Sequence, residues 1–165
     1  MLKPAGRALD LPRGLTATAD YDEVAITLNP SPDCPLPALA EEHPLTIPGA
    51  TNLPGWTVIT SIQMPAGEKR YGGEYSALLD LEKAGNSLII RSRQPGDRFQ
   101  PLGVGMEKKL QDFMVNAKIP RSWRDRVPLV CSPQGILWVV GYRISEKVKI
   151  TESTKRVLAL QFQRT

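Results

Sequence analysis

The distribution of proline is the strongest constraint on how this chain can fold. Six of its 15 prolines lie between positions 29 and 48. Proline fixes φ and lacks a backbone donor, so this stretch is incompatible with a helix or a central strand. We therefore interpret residues 29–48 as an extended, variable surface loop. The β-rich run before it, residues 15–28, predicts a hairpin, and residues 49–62 after it predict further strand structure.

Short strands separated by turns are predicted through the rest of the chain. The predicted strands are residues 75–81, 87–92, 128–131, 136–140, 147–150 and 156–162. Pro95-Gly96 has the residue order of a type II turn, and a turn at 132–135 makes a hairpin of two of these strands. Trp138 and Phe162 are predicted core residues. The pattern favours an α+β fold that is strand-dominated, with a β-sandwich-like core and one or two short helices on one face.

One helix is predicted over residues 106–117, because apolar side chains recur there at one helical face, beginning with Met106. In that helix Lys108 and Lys109 would lie in the first turn, where their charges oppose the helix dipole. A phosphate that faces the same N–H groups would make this arrangement more tolerable. Ser122 is predicted to cap a short helical turn that follows.

Length and composition favour one domain, alone or with an appended segment. The chain has 165 residues, of which 41% are hydrophobic, enough to bury a core. Residues 1–9 are interpreted as a linker or terminal edge, residues 10–86 as a strand-and-loop region that packs with the C-terminal part, and residues 87–163 as the C-terminal domain. The start lacks the apolar segment of a signal peptide, and no run approaches the roughly 20 residues that span a bilayer. A cytoplasmic protein is expected.

Cysteine and histidine are too scarce for the commonest catalytic and metal sites. The chain contains Cys34, Cys131 and a single histidine, His43. These three residues cannot supply four zinc ligands at a usable spacing. A nucleophilic thiol usually needs a histidine partner, and Cys131 is predicted to be a small core residue. No catalytic residue, metal ligand or resident cofactor is therefore expected in this segment.

Positive charge is concentrated in the second half of the chain. Residues 1–90 contain 6 Lys and Arg against 11 Asp and Glu, whereas residues 91–165 contain 15 against 6. The net charges of the two segments are therefore −5 and +9. This asymmetry indicates a polyanionic partner for the second half. A basic surface that serves only solubility is the alternative, and charge alone does not decide between the two.

The basic residues gather between positions 90 and 130. Arg91 and Arg93 are two apart on a predicted strand and therefore share a face. Asp97 and Asp125 lie beside arginines, and we expect their carboxylates to orient guanidinium groups rather than to act as general acids or bases. Trp123 lies among three arginines, where it either stacks on a base or ribose or anchors the short helix to the core.

Several short sequence blocks follow one another in this region. They are RSRQPGDRF at 91–99 with PLG at 101–103, KKLQDF at 108–113, IPR at 119–121, RD at 124–125 with PLV at 128–130, and WVVGYRI at 138–144. In order and spacing these blocks resemble the C-terminal domain of bacterial tRNA(Ile)-lysidine synthetase. The resemblance extends over nearly half of the chain. The preceding region, with IPG at 47–49 and DL at 80–81, is similar but much less specific.

The resemblance implies a role in tRNA modification. The family joins lysine to C2 of the wobble cytidine of an isoleucine tRNA, using ATP, through an adenylated cytidine. Its C-terminal domain is similar to a β-sandwich-like domain of the phenylalanyl-tRNA synthetase beta chain and contacts the acceptor-stem region of tRNA(Ile). The catalytic half carries an SGGxDS-type loop, which this sequence lacks. ATP and Mg²⁺ are therefore expected to bind the enzyme's own N-terminal catalytic domain, a further expected partner, and this segment alone is not expected to make lysidine.

The basic residues of the matching blocks are the predicted tRNA contacts, mostly to phosphate and ribose. They are Arg91, Arg93, Arg98, Lys108, Lys109, Lys118, Arg121, Arg124, Arg126 and Arg143. Roughly half are expected to face RNA, and the others to pair with Asp97, Asp112 or Asp125. Two other functions stay open: an intramolecular scaffold or dimerisation domain whose basic face meets acidic protein surface, and an independent small enzyme, for which we find no nucleophile–base pair.

Overall fold

Strands dominate the structure, a computed structural model that describes residues 7–11, 15–19, 24–28, 34–65 and 73–165. The strands are β1 Arg7–Leu11, β2 Leu15–Ala19, β3 Val24–Leu28, β4 His43–Pro44, β5 Gly49–Leu53, β6 Trp56–Gln63, β7 Ser76–Asp80, β8 Ile89–Arg91, β9 Arg98–Phe99, β10 Lys108–Lys109, β11 Leu129–Ser132, β12 Gly135–Val139, β13 Arg143–Ile144 and β14 Val157–Arg164. The helices are α1 Leu81–Ala84 and α2 Leu110–Asn116, and single 3-10 turns lie at Arg121–Trp123 and Glu146–Val148. No helix within these described ranges is long and apolar enough to cross a membrane. The predicted strand-dominated α+β class is confirmed.

The strands form four sheets within the described residues. The first contains β1, β2 and β3, and the antiparallel pairing of β2 with β3 confirms the hairpin predicted over 15–28. A five-stranded sheet has the order β13-β12-β11-β8-β4, and a four-stranded sheet has the order β5-β6-β14-β7. The short strands β9 and β10 pair with each other. All of these pairs are antiparallel, so side chains of neighbouring strands stand on shared faces in a fixed register.

The two larger sheets bury the main core between them. β14 of the four-stranded sheet contributes Leu158, Leu160 and Phe162, and β12 of the five-stranded sheet contributes Trp138. The rings of Trp138 and Phe162 meet edge to face with their centroids 5.5 Å apart, a geometry that aromatic pairs favour. The predictions that both aromatic residues belong to the core and that the core is sandwich-like are confirmed.

A second apolar cluster lies on the other face of the five-stranded sheet, beneath α2. The residues that α2 buries there are Leu110, Phe113 and Met114. Successive residues of β11 point to opposite faces, so Leu129 belongs to this cluster and Val130 to the main core. Strands that are buried on both faces explain why residues 128–131 and 136–140 form unbroken apolar runs.

The helix α2 begins four residues later than predicted. Lys108 and Lys109 form β10 opposite Phe99 and Arg98 instead of a first helical turn. Met106 is 66% exposed instead of lying on the apolar face of the helix. The prediction for 106–109 is wrong because cross-strand pairing, which local periodicity cannot reveal, holds the two lysines extended. The two lysines therefore do not oppose the helix dipole from a first helical turn.

The strand predicted over 147–150 is also wrong. The Ser145 hydroxyl accepts a hydrogen bond from the backbone N–H of Lys147 at 3.2 Å and caps the 3-10 turn there. Ser122 is not the cap of the helical turn after α2, since that turn begins at Arg121. At 145–148 a local side-chain hydrogen bond thus favours a turn over the strand that residue composition favours.

The proline-rich stretch is partly buried, which corrects its interpretation as a surface loop. Residues 34–48 of it are described, and Leu36 and Leu45 are only 3% and 8% exposed. His43 and Pro44 form β4 at an edge of the five-stranded sheet, where a missing N–H is tolerated. Residues 29–33 of the predicted loop, and residues 1–6 of the predicted linker, lie outside the described residues. β1 begins inside the predicted linker, at Arg7.

Leu160→Ala tests the core that the two sheets share. Leu160 is fully buried on β14, between Thr60 of β6 and Ala77 of β7. Truncation should lower the free energy of unfolding by about 2–5 kcal/mol, because burial is lost and a cavity remains. Urea denaturation followed by circular dichroism measures this loss. The control is Gln163→Ala at the exposed end of the same strand, which should change stability by less than about 0.5 kcal/mol. Equal effects at both positions would show that Leu160 is not part of a shared core.

Candidate nucleic-acid interface

A cleft of about 420 Å³ lies where the segment between β8 and β9, the start of α2 and the segment after the first 3-10 turn meet. Its cationic side chains are Arg93, Arg98 and Lys109, and its carboxylates are Asp97 and Asp125. The other residues that line it are Gln94, Pro95, Gly96, Leu110 and Gln111. We call this site the basic cleft. The fold thus gathers three cations from two separate segments, residues 93–98 and 109–111, around one concavity.

Asp97 holds one side of the basic cleft in place. Its two carboxylate oxygens accept hydrogen bonds from Nη1 and Nη2 of Arg91, each at 2.9 Å, a bidentate pair that fixes both planar groups. One of these oxygens also accepts from the backbone N–H of Gln94 at 2.7 Å. The Asp97 carbonyl accepts from the N–H of Leu110 at 2.9 Å. Asp97 therefore ties β8, the turn at 94–97 and the start of α2 to one another.

The same contacts set the charge states of the pair. Burial would raise the pKa of the Asp97 carboxyl, but hydrogen bonds from Arg91 and Gln94, together with the charge of Arg91, lower it below its ordinary value. The hydrogen bond to Asp97 raises the pKa of Arg91. Both groups are therefore charged near neutral pH and neutralise each other. Arg91 was predicted to contact tRNA, and the structure places it against Asp97 with a side chain that is only 14% exposed.

Arg93 and Arg98, on the walls of the cleft, are less tightly held. Nε of Arg93 donates to Asp125 at 2.7 Å, but the Asp125 side chain is 79% exposed. Nε of Arg98 lies 3.8 Å from the Glu107 carboxylate, which is too far for a hydrogen bond. Exposed ion pairs of this kind are weak and are screened by salt. Both guanidinium groups can therefore exchange these partners for an anion that enters the cleft.

Arg124 extends the positive charge beyond the cleft. Its Nε donates to the Ile119 carbonyl at 3.1 Å, which orients the guanidinium group. Burial, and then the charges of Arg93 and Arg121, lower the pKa of Arg124. Arg93, which is distant in sequence, therefore lies close enough to Arg124 to repel it, as does the neighbouring Arg121. An anion bound beside Arg124 would relieve that repulsion.

The other predicted contacts do not line the cleft. Lys118 follows the far end of α2 and has a φ of 58°. Nη2 of Arg126 donates to the Leu36 carbonyl at 3.0 Å, and its Nε is buried with no hydrogen-bond partner in the described part of the chain. Arg143 lies on β13, three positions from β8 in the sheet order, which is roughly 14 Å at the usual strand spacing. Trp123 packs, half-buried, against the second apolar cluster, which supports the anchoring interpretation.

Gln94 and Gln111 line the cleft and were not predicted as site residues. Both side chains are exposed. The available sequence signal was weak, because exposed glutamines are common on protein surfaces. Their proximity depends on the contact between the 94–97 turn and the start of α2, which the sequence does not reveal.

The described residues offer neither a metal site nor a reactive thiol. Within them, no three His, Cys, Asp or Glu side chains are placed to hold a metal ion. Cys34 and Cys131 are free and buried. Burial raises the pKa of the Cys131 thiol to about 11, so the nucleophilic thiolate is scarce near neutral pH. The prediction that Cys131 is a core residue is confirmed by its 3% exposure.

Comparisons with known proteins identify the family. Residues 88–161 match the family model described as the TilS substrate C-terminal domain. A crystal structure of a TilS C-terminal domain shares 31% identity with the chain, which covers 97% of that structure over 76% of its own length, with a TM-score of 0.63. The chain belongs to the TilS C-terminal domain family. The resemblance inferred from the sequence blocks is therefore confirmed.

The curated relatives that match this chain are longer than the chain itself. The tRNA(Ile)-lysidine synthase of Dehalococcoides mccartyi (strain CBDB1) is 45% identical over 164 residues, which are 99% of this chain and 35% of that protein. The same enzyme of Caldanaerobacter subterraneus subsp. tengcongensis is 34% identical over 162 residues, 97% of this chain and 34% of that protein. The chain thus spans about a third of the length of the curated relatives it matches. A phenylalanyl-tRNA synthetase beta-subunit fragment from Pyrococcus horikoshii covers 53% of the chain at 20% identity and a TM-score of 0.45, too weak a similarity to support an argument.

Asp97→Asn tests the role of the Arg91 pair in the TilS domain. The amide carries no negative charge, so Arg91 would be left partly buried without its counter-charge. The free energy of unfolding should fall toward the lower end of the about 3–5 kcal/mol that breaking a buried pair costs. Asp125→Asn is the matched control, because its pair with Arg93 is exposed, and should cost less than about 1 kcal/mol. Urea denaturation of both variants measures the difference, and similar losses would contradict a special role for Asp97.

The stabilisation by Asp97 should also depend on pH. Its folded pKa is lowered below the ordinary value of about 3.9. The stabilisation is therefore fully present above that ordinary value and is lost as the pH falls through the folded pKa. The difference in unfolding free energy between the unsubstituted chain and Asp97→Asn should be constant near neutral pH and shrink below about pH 4. A difference that is independent of pH in acid would count against this assignment.

Proposed function

We propose that this chain is the tRNA-binding C-terminal domain of a tRNA(Ile)-lysidine synthase, and that the basic cleft receives the tRNA backbone. The observation that carries the proposal is the convergence of Arg93, Arg98 and Lys109 on one cleft, within the half of the chain whose net charge is +9. Of the two carboxylates that line the cleft, Asp97 is neutralised by Arg91. The cleft therefore keeps an excess of positive charge, which favours a polyanion.

The side chains around the cleft suit phosphate and ribose. Arginine forks bind phosphate oxygens in pairs, and lysine binds them as a point charge. The proposed contacts are Arg93, Arg98 and Lys109, which line the cleft, and Lys108, Arg121 and Arg124, which do not line it. Arg91 is proposed to position the cleft and not to touch RNA. Contacts of this kind fix the orientation of a nucleic acid and carry little sequence information.

The reaction of the whole protein is proposed from its relatives. They are named tRNA(Ile)-lysidine synthases, so we propose that the whole protein joins lysine to C2 of the wobble cytidine of tRNA(Ile) in the cytoplasm. ATP and Mg²⁺ would bind a catalytic domain that these 165 residues do not include. The domain described here would hold the acceptor-stem region, a duplex that proteins recognise by shape and by its 2′-hydroxyls.

Arg98→Gln and Lys109→Gln test the cleft as the RNA-binding surface. Each variant should weaken binding of an isoleucine tRNA and reduce the slope of log affinity against log salt by about 0.7–0.9, because one phosphate contact fewer releases fewer counterions. Filter binding at several salt concentrations measures both quantities. Lys155→Gln is the matched control, since it removes the same charge from an exposed lysine that does not line the cleft, and it should leave the slope unchanged.

Two results would count against the proposal. If Lys109→Gln and Lys155→Gln had equal effects, RNA binding would depend on total charge and not on the cleft. If the unsubstituted chain did not bind tRNA even at low salt, the tRNA-binding function itself would be wrong. If light scattering then showed a stable dimer, and its interface buried Arg93, the dimerisation alternative would be favoured.

A further inference from the structure

The basic cleft is also lined by two uncharged hydrogen-bonding side chains, which the binding of phosphate does not require. Gln94 lies in the turn that ends at Asp97, and Gln111 lies in the first turn of α2. Both side chains are exposed, and neither carboxamide makes a hydrogen bond to another described residue. A carboxamide both donates and accepts hydrogen bonds. Each glutamine can therefore bind a hydroxyl group of a ligand in the cleft.

The backbone beneath both glutamines is fixed by the same residue. The N–H of Gln94 donates to the Asp97 carboxylate at 2.7 Å, and its carbonyl accepts from the N–H of Asp97 at 3.2 Å. Gln111 follows Leu110, whose N–H donates to the Asp97 carbonyl at 2.9 Å and whose side chain is 1% exposed. The two carboxamides are thus presented from one connected frame, an arrangement that limits the entropy lost on binding.

Cations surround the two glutamines. Arg93 directly precedes Gln94, and Lys109 lies two residues before Gln111 and opposite Arg98 in the β9–β10 pair. Along duplex RNA, each ribose 2′-hydroxyl lies close to the phosphates and is displayed in the wide, shallow minor groove. Side chains that hold the phosphates would therefore bring neighbouring ribose groups toward the carboxamides.

We propose that Gln94 and Gln111 bind ribose 2′-hydroxyl groups of duplex RNA, so that the basic cleft distinguishes RNA by its sugars. This inference rests on the proposed function, because the cations must first hold the RNA backbone. The two sets of residues then have separable effects. The cations set the affinity and its salt dependence, whereas the glutamines set the preference for a hydroxylated sugar.

The test compares the 165-residue chain with the double variant Gln94→Ala/Gln111→Ala. The probes are a short RNA hairpin and the same hairpin with 2′-fluoro groups on its stem riboses, a change that keeps the A-form duplex and removes the hydroxyl donors. Filter binding at several salt concentrations gives both the affinity ratio and the salt slope. The unsubstituted chain should prefer the hydroxylated hairpin by about 5-fold for each glutamine contact. The double variant should lose this preference and keep its salt slope, and Gln163→Ala, outside the cleft, should change neither.

The results separate this inference from the proposed function. Equal binding of the two hairpins by the unsubstituted chain would overturn the role of the glutamines and leave tRNA binding intact. A preference that persists in the double variant would also overturn it, as would an equal loss of affinity for both hairpins. Failure of the unsubstituted chain to bind either hairpin would overturn the proposed function, and this inference with it.

Discussion

The basic cleft depends on one partly buried carboxylate. Asp97 accepts hydrogen bonds from the guanidinium group of Arg91 and from the backbone of Gln94, and its carbonyl accepts from Leu110. Desolvation offsets much of the Coulomb attraction in such a pair, so its main consequence here is geometric. Arg93 belongs to the segment between β8 and β9, and Lys109 directly precedes α2. The Asp97 contacts hold those segments together.

The arginines in and beside the cleft differ in burial, and Arg91, which supports the site, is more buried than Arg93 and Arg98, which line it. Side-chain exposure rises from 14% at Arg91 to 26% at Arg93 and 52% at Arg98. Over the same series the partner changes from a bidentate carboxylate to an exposed carboxylate and then to one beyond hydrogen-bond distance. A cluster of arginines in sequence therefore overstates the number of cations that line one site. Arg126 and Arg143 were also predicted as contacts, and both lie away from the cleft.

Most strands and much of the core could be predicted from the sequence, because burial on two faces leaves unbroken apolar runs such as 128–131. The structure of two short segments could not be predicted in this way. Residues 108–109 are held extended by pairing with 98–99, and Ser145 caps a turn where composition favours a strand. For the same reason the sequence predicted the cations of the cleft but missed Gln94 and Gln111, whose proximity arises from tertiary contacts. The motif blocks identified the family because several separate blocks agree in order and spacing. Charge alone left two functions open.

The packing beneath the cleft explains why exposed cations can be held in a defined arrangement. Phe99 of β9 and Phe113 of α2 meet edge to face with their centroids 5.1 Å apart, and Phe99 is 2% exposed. Arg98 and Lys109 therefore extend from backbone anchored in the second apolar cluster, although their own ends are in water. Anchored backbone confines the entropy loss on binding to the side chains themselves. A surface of equal charge on mobile segments would also have to order its backbone, at about 1–2 kcal/mol per residue. The buried aromatic pair is thus part of what makes a weakly paired basic surface suited to binding.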